Sequence, residues 1–359
     1  MIVNSLNWGS YDPVLAQRKL DCLIPCLPMR VTVFGAGAIG SVIGARMHEQ
    51  GISVTLVGRP AHVETIKARG LQLRTASGLH IVHLSAAASF GGRPEVVLLS
   101  VKSQDVVEAC REITANFSAA TIVTMQNGVR CDEEAAGVVG RDRVVGCVLY
   151  MSATYLEPGI VEQLPGGRLE IGAPFPESRS RVEAVAELLA GVLPTALVSD
   201  LAAARWAKLM GNLTNVIPTA TGLSARQAFR HPLLSRLAVA AIREGVRTAQ
   251  LSGQRLGQSQ RARRLRLMTI LPMALSHRLF AGGLARIFPK DSAFGGSTQQ
   301  SFLRESSSEL DYLNGEVVRA GRRIDRPTPI NTALLERGQS VFTTRQLLTP
   351  EQLAGGLPV

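Results

Sequence analysis

The stretch Arg30-Val-Thr-Val-Phe-Gly-Ala-Gly-Ala-Ile-Gly40 decides the fold of this chain. Its first part, Val31–Phe34, is a short apolar run rich in β-branched residues, and Ser41–Gln50 after it has a helical pattern. Between strand and helix stands the pattern G-x-G-x-x-G, whose glycines permit a tight turn, close approach of a pyrophosphate, and close helix–strand packing. The stretch predicts a dinucleotide-binding turn in which backbone N–H groups at the helix start bind the phosphates. The residues predicted to form it are Gly35, Ala36, Gly37, Ala38, Ile39 and Gly40.

Strand and helix patterns alternate beyond this unit, which predicts βαβ units and a mostly parallel sheet. Predicted strands are Ile52–Val57, Val96–Val101, Thr121–Met125 and Thr195–Ser199, and predicted helices are Val63–Arg69, Asp105–Thr114 and Arg181–Leu189. Ile160–Gln163 and Arg168–Ile171 flank Pro165-Gly166-Gly167 and are interpreted as a β-hairpin.

The pattern changes after Asp200, where apolar residues recur at helical spacing and long β-branched runs disappear. The predicted fold class is therefore an α/β Rossmann domain followed by an all-α C-terminal domain. We expect an N-terminal extension over residues 1–28, the dinucleotide-binding domain over 29–196, the helical substrate and catalytic domain over 197–344, and a tail over 345–359.

The chain of 359 residues is basic, with a formal net charge of +11. The densest basic run, Arg261–Arg266, is interpreted as a solvated helix face; attraction of an anionic cofactor and substrate, or of a nucleic acid or membrane surface, are the alternatives. Aromatic residues make up only 4%, which argues against a stacking platform for nucleic acid. The apolar stretch Leu267–Leu275 is too short to span a bilayer. We expect neither a nucleic-acid nor a membrane partner.

Five cysteines, an odd number, in a chain of this size favour a reducing, cytoplasmic environment. Cys22 and Cys26 are not followed by a second Cys/His pair at zinc spacing, so no metal site is predicted.

The end of the second strand indicates which dinucleotide is bound. NAD-binding domains usually place an acidic residue there, whereas an arginine accommodates the 2′-phosphate of NADP. This chain has Gly58-Arg59 and no acid until Glu64. NADPH is therefore the predicted cofactor, and the alternative for Arg59 is a charge on a surface loop.

A predicted helix, Asp200–Ile217, carries candidate catalytic side chains. At about 100° per residue, Lys208, Asn212 and Asn215 share one face, opposite an apolar face. An ammonium group can stabilise and protonate the oxygen of a carbonyl that accepts hydride, while amides orient the substrate. The alternative is a solvated amphipathic helix.

Five blocks taken together, VFGAGAIGS, SVKSQD, MQNG, RWAKLMGN and SELDYLNGEVV, resemble the ketopantoate reductase family (2-dehydropantoate 2-reductases). They occur in the order and spacing of the family between Met29 and about Leu335. The resemblance implies an active-site cleft between the two domains.

The resemblance also implies roles for single residues. Lys208 matches the catalytic acid of the family, and Asn127, Asn212 and Glu309 match its other catalytic positions. Lys102 and Asn127 would lie near the nicotinamide and the substrate, with Asn215 also beside the substrate and Ser297 at its carboxylate. Structural alternatives remain for several of these residues: a plain turn at Asn127-Gly128, capping boxes at Ser297 with Gln300 and Ser306 with Glu309, and a solvated Lys102.

Two positions expected to border the substrate depart from the family pattern: Val216 stands where members commonly have Asn, and Ser301 where they tend to have Asp. The expected activity is NADPH-dependent reduction of 2-dehydropantoate to (R)-pantoate. The alternatives are a related reductase of another 2-oxo acid and a non-catalytic, NADPH-sensing protein. A homodimer is left open by the sequence.

Overall fold

Eight strands form a mostly parallel sheet in the computed structural model of the chain, which describes residues 29–279 and 296–359. The predicted extension 1–28, with Cys22 and Cys26, lies outside the described residues. The twelve strands of the described residues are β1 Arg30–Phe34, β2 Ser53–Val57, β3 Leu71–Thr75, β4 Gly78–Val82, β5 Ser85–Ala87, β6 Val96–Leu99, β7 Thr121–Thr124, β8 Val144–Tyr150, β9 Ala153–Glu157, β10 Ile160–Gln163, β11 Arg168–Gly172 and β12 Thr195–Leu197. The large sheet has the order β12-β11-β8-β7-β6-β1-β2-β5.

Strand directions in the large sheet follow the predicted parallel pattern, with β11 running antiparallel to β8. A second sheet of order β4-β3-β10-β9 packs beside it. Five helices accompany the strands: Ala38–Glu49, Pro60–Arg69, Val106–Asn116, Cys131–Val139 and Arg179–Ala190.

The C-terminal half is helical throughout its described residues. Its helices are Leu201–Asn212, Val216–Thr221, Ala225–Arg230, Pro232–Leu251, Gln260–Ile270, Ser297–Leu303, Asn314–Arg323, Pro329–Thr344 and Pro350–Ala354, and residues 273–279 are also helical. The predicted fold class, a Rossmann domain followed by an all-α domain, is confirmed. No helix among residues 29–279 and 296–359 is long and apolar enough to cross a membrane.

The predicted hairpin of Ile160–Gln163 and Arg168–Ile171 was wrong. The first segment is β10, which pairs with β9 and β3 in the small sheet. The second belongs to β11, which pairs with β8 and β12 in the large sheet. Pro165-Gly166-Gly167 therefore connects two sheets. Its turn residues predicted that the two flanking segments pair with each other, but each pairs with other strands.

Two further expectations need correction. The predicted helix Asp200–Ile217 is interrupted after Asn212 and continues as Val216–Thr221. The predicted tail contains the helix Pro350–Ala354, which begins with a Thr349–Gln352 capping box and buries Leu353 among the helices.

A buried ion pair fastens the first helix of the C-terminal half, Leu201–Asn212, to the large sheet. The Arg205 Nε and Nη2 atoms lie 2.6 Å from the two carboxylate oxygens of Asp132, and both side chains are buried. Nη1 of Arg205 donates to the carbonyl oxygen of Gln126 at 3.1 Å, and Nη2 donates to the hydroxyl of Thr124 at 2.9 Å. A side chain at Gly146 in β8 would collide with Leu201, so the helix packs directly on the strand.

We expect Asp132→Ala to lower the free energy of unfolding by about 3–5 kcal/mol, because Arg205 would be left buried and without its carboxylate. Urea unfolding followed by circular dichroism measures this change.

The matched control is Glu133→Ala, which removes the neighbouring carboxylate from an exposed pair with Arg141 at 3.6 Å. Exposed pairs contribute about 0–1 kcal/mol. Equal destabilisation by the two variants would contradict the role assigned to the Arg205–Asp132 pair.

Candidate active site

The glycine turn between β1 and the helix Ala38–Glu49 has the geometry that the motif predicts. Gly35 adopts φ +109°, and its N–H and that of Ala36 donate to the carbonyl oxygen of Val57 at 2.9 and 2.8 Å. A Cβ on Gly40 would collide with the carbonyl oxygen of Gly35, whereas a Cβ on Gly37 would meet no atom within 4 Å. The open space beside Gly37 lies where a pyrophosphate would approach the backbone. Ala38, Ile39 and Gly40 form the first helical residues, and no side chain caps this helix start.

Arg59 lies beside this turn. It directly follows Gly58, whose Cβ would lie 2.6 Å from the Cβ of Ala36, and it precedes the helix Pro60–Arg69. The Arg59 side chain is exposed, and within the described part of the chain it forms no ion pair. Its position suits recognition of a group at the end of β2.

A carboxylate from the helical half binds the loop after β6. The Glu309 carboxylate accepts from Lys102 Nζ at 3.0 Å, from the Ser103 N–H at 3.1 Å and from the Ser103 hydroxyl at 2.9 Å. Lys102 Nζ also donates to the hydroxyl of Ser301. Burial by itself raises the pKa of the Glu309 carboxyl, but Lys102 and the Ser103 donors outweigh it and hold the pKa below its usual range.

These contacts decide two of the open alternatives. Glu309 binds Lys102 and Ser103 rather than capping a helix at Ser306, and Lys102 is not simply solvated. Ser297 is not a capping residue either, because Gly296 precedes the helix and no side chain caps it. Sequence reasoning missed Ser103 as a functional residue, although it stands inside the block SVKSQD.

The loop after β7 contacts the helix Leu201–Asn212. The Asn212 amide donates from Nδ2 to Asn127 Oδ1 at 3.2 Å. Arg130, at the end of the same loop, lies 2.6 Å from the Glu316 carboxylate and 2.8 Å from that of Asp311. Asn127 also accepts at its backbone carbonyl oxygen from the Ser103 hydroxyl at 3.2 Å, so it makes more contacts than a plain turn residue requires.

Lys208 lies one turn before Asn212, with its ammonium group 5.7 Å from the centre of the Tyr150 ring. Among the described residues it has no hydrogen bond or ion pair, and no contact joins it to Glu309. Burial lowers the pKa of Lys208 to about 7, with the positive charge of Arg205 acting in the same direction. The apolar face predicted opposite Lys208 is confirmed, since Trp206, Leu209 and Leu213 are buried in one apolar cluster.

Tyr150, at the end of β8, gathers further cations that sequence reasoning did not assign to the site. Arg168 lies 3.8 Å and Arg261 5.6 Å from the centre of its ring. The Tyr150 hydroxyl donates to Glu170 at 3.3 Å. Arg261 belongs to the basic run interpreted as a solvated face; Arg263 and Arg264 of that run are exposed, but Arg261 is partly buried in the cleft.

Asn215 and Ser297 lie at the other end of the cleft. A Cβ on Gly296 would lie 3.8 Å from Asn215 Oδ1, which places the start of the helix Ser297–Leu303 beside Asn215. Ser301 is buried and donates to the Ser297 carbonyl oxygen at 2.9 Å. Val216, expected to border the substrate, is instead buried in the apolar cluster of the helical domain.

The structure places the candidate side chains in two groups: Lys208, with an ammonium group of lowered pKa, one turn before the Asn212–Asn127 contact, and Glu309 paired with Lys102 and Ser103. Such a set can polarise and protonate a carbonyl oxygen. Within residues 29–279 and 296–359, no group of three or more His, Cys, Asp or Glu residues could hold a metal ion.

Comparison with known proteins places this architecture in one family. The model of the family "Ketopantoate reductase PanE/ApbA" matches residues 31–174, and the model of its C-terminal domain matches residues 200–339. A 2-dehydropantoate 2-reductase from Mesorhizobium japonicum is 29% identical over 333 residues, covering 86% of this chain and 96% of that protein. A 2-dehydropantoate 2-reductase from Pyrococcus horikoshii is 26% identical over 310 residues, covering 85% of this chain and 95% of that protein.

Among solved structures, a PanE/ApbA family ketopantoate reductase from Ralstonia eutropha JMP134 superposes with a TM-score of 0.74 at 28% identity. The match covers 89% of this chain and all of that one. Both domains, their order and the predicted sequence blocks agree with these matches, and the chain therefore belongs to the ketopantoate reductase PanE/ApbA family of oxidoreductases.

Proposed function

We propose that this protein reduces 2-dehydropantoate to (R)-pantoate with NADPH as the hydride donor. One observation carries the proposal: an unpaired lysine of lowered pKa, Lys208, lies one helical turn from the Asn212–Asn127 contact. A carbonyl bound there meets an acid and two amides. The curated relatives of similar length that are named 2-dehydropantoate 2-reductase support the substrate.

Family membership makes a nicotinamide dinucleotide the cofactor class. The residues fit it: Gly35, Gly37 and Gly40 shape the turn, and the space that a Cβ on Gly37 would occupy is open. The helix start after Gly37 carries unpaired N–H groups suited to phosphate. Arg59, exposed beside this turn with no acid at the end of β2, supports NADPH over NADH.

A nicotinamide dinucleotide held by the turn of Gly35, Gly37 and Gly40 would supply the hydride for the C2 carbonyl carbon of the substrate. Lys208 in its ammonium form donates a hydrogen bond to the carbonyl oxygen and then its proton, and its lowered pKa favours that transfer near neutral pH. Asn127 and Asn212 orient the reacting groups through their mutual contact. Glu309 holds Lys102 and the loop after β6 in place. Ser297, beside Asn215, is a neutral hydrogen-bond donor for the substrate.

A different 2-oxo acid is the alternative substrate, and Ser301 is the observation that favours it. The Ser301 hydroxyl contacts Lys102, where many family members would have a carboxylate, so Lys102 here has one carboxylate partner, Glu309. A steady-state screen of 2-oxo acids with NADPH tests the substrate. Negligible turnover of 2-dehydropantoate beside fast turnover of another acid would replace it.

We expect Lys208→Ala to lower kcat by about 10²–10⁴-fold, because it removes the proton donor from the cleft. The affinity for NADPH, measured by fluorescence titration, should change little because Lys208 lies away from the glycine turn.

The control is Lys67→Ala, which removes an exposed lysine of the helix Pro60–Arg69. Full turnover by Lys208→Ala would exclude the catalytic role of Lys208. NADPH binding by the wild-type protein without turnover of any 2-oxo acid would instead favour a non-catalytic, NADPH-sensing protein.

The pH dependence of reduction should follow the ionisation of Lys208. Reduction needs the ammonium form of Lys208. With a pKa of about 7, Lys208 is fully protonated at pH values well below 7 and loses its proton as the pH rises through 7. We therefore expect kcat for reduction to fall about tenfold per pH unit at high pH, and oxidation of pantoate, which needs the neutral amine, to rise instead. Initial rates in both directions between pH 5 and 10 measure this; parallel profiles would contradict the assignment.

Arg59→Gln should weaken NADPH binding by about 10–100-fold and leave NADH binding nearly unchanged, because the lost charge-assisted hydrogen bonds go to the 2′-phosphate. Fluorescence titration with both cofactors measures the difference. Arg69→Gln, an exposed arginine at the end of the same helix, is the control. A similar loss for NADPH and NADH would assign Arg59 to another part of the cofactor.

A further inference from the structure

Arg261, which has no carboxylate partner among residues 29–279 and 296–359, places its guanidinium group at the same aromatic ring as Lys208. We propose that Arg261 is a specificity-determining residue that binds the carboxylate of the 2-oxo acid held at Lys208. This assignment rests on the proposed function and concerns the same cleft. It gives the enzyme a means of selecting anionic over neutral carbonyl compounds.

The helix Leu201–Asn212 is shaped to receive Arg261. The Nε atom of Arg261 donates to the carbonyl oxygen of Ala207 at 3.1 Å, which fixes the plane of the guanidinium group. A Cβ on Gly211 would collide with Nη2 of Arg261. Glycine inside a helix is unfavourable, so its presence at the point of contact makes room for the guanidinium group.

The terminal nitrogens of Arg261 remain available to a ligand. Within the described part of the chain, Nη1 and Nη2 have no hydrogen-bond acceptor and Arg261 has no ion pair. The side chain is partly buried, and its Nη1 and Nη2 atoms remain accessible. A carboxylate matches the two adjacent amino groups in geometry and charge.

The charges around Tyr150 are unbalanced in favour of an anion. Arg168, Lys208 and Arg261 all lie at this ring, at 3.8, 5.7 and 5.6 Å from its centre. The acid facing them is Glu170, which accepts from Arg168 at 3.2 Å and from the Tyr150 hydroxyl. Arg205, below Lys208, is already neutralised by Asp132. An anionic ligand would offset the remaining positive charge.

The chemistry of the substrate brings its carboxylate to this place. In a 2-oxo acid the carboxylate is bonded to the carbonyl carbon that accepts hydride. When the carbonyl oxygen contacts Lys208, the carboxylate must lie close by. Arg261 shares the Tyr150 ring with Lys208, whereas Ser297 lies beside Asn215, which stands beyond the end of the helix Leu201–Asn212. Ser297 is a neutral donor, so it discriminates less between a carboxylate and an uncharged acceptor than a guanidinium group does.

Two substrates that differ in this charge test the assignment: 2-dehydropantoate and its uncharged cyclic ester, 2-dehydropantoyl lactone. We expect Arg261→Gln to raise KM for the acid by about 10–100-fold and to leave KM for the lactone within about twofold. Calorimetry with pantoate and pantoyl lactone in the presence of NADP⁺ provides a readout without turnover, and only pantoate binding should weaken. Arg263→Gln removes an exposed charge from the same helix and should change neither ligand.

Two results would overturn the assignment of Arg261. An equal effect of Arg261→Gln on acid and lactone would mean that Arg261 acts through the pKa of Lys208 or through the fold. Loss of acid–lactone discrimination in Ser297→Ala, with discrimination kept in Arg261→Gln, would assign the carboxylate to Ser297. In both cases the wild-type protein still reduces 2-dehydropantoate. Absence of that turnover in the wild-type protein would instead reject the proposed function together with the assignment.

Discussion

The buried ion pair between Arg205 and Asp132 is the interaction on which the cleft depends. It joins the helix Leu201–Asn212 to the helix Cys131–Val139, and the same guanidinium group binds Thr124 at the end of β7 and the carbonyl oxygen of Gln126. Gln126 immediately precedes Asn127, so one side chain fixes both the helix that carries Lys208 and the loop that carries Asn127. Because a buried charge must be paired, this joint has one stable geometry.

Lys102 and Lys208 have the same side chain but different surroundings, and the surroundings suit them to different roles. Lys102 is held by Glu309 and Ser301, so the position of its side chain is fixed. Lys208 is flanked by Arg205 and Arg261 and pairs with no carboxylate in the described part of the chain, so its pKa is lowered and its neutral form is accessible. The first arrangement suits binding and the second suits proton transfer.

The parts of the site that follow from local sequence could be predicted well. The glycine turn needs only a strand, three glycines and a helix in succession, and the stripe of Lys208 and Asn212 follows from helical periodicity. The partition of β10 and β11 into separate sheets could not be predicted, since it depends on β9, β3 and β8. Local turn residues favour a hairpin, but β10 pairs with β9 and β3 while β11 pairs with β8 and β12.

The sequence by itself determined the Rossmann domain, the helical domain after it and the residue types of the cleft, because these depend on periodicity and on short motifs. Only the tertiary structure decided which side chains meet. Glu309 contacts Lys102 and Ser103, which are about 200 residues away in the sequence. Arg261, the first residue of the basic run, packs against Gly211. Such contacts depend on how two domains pack, and packing is set by the whole core rather than by any one segment.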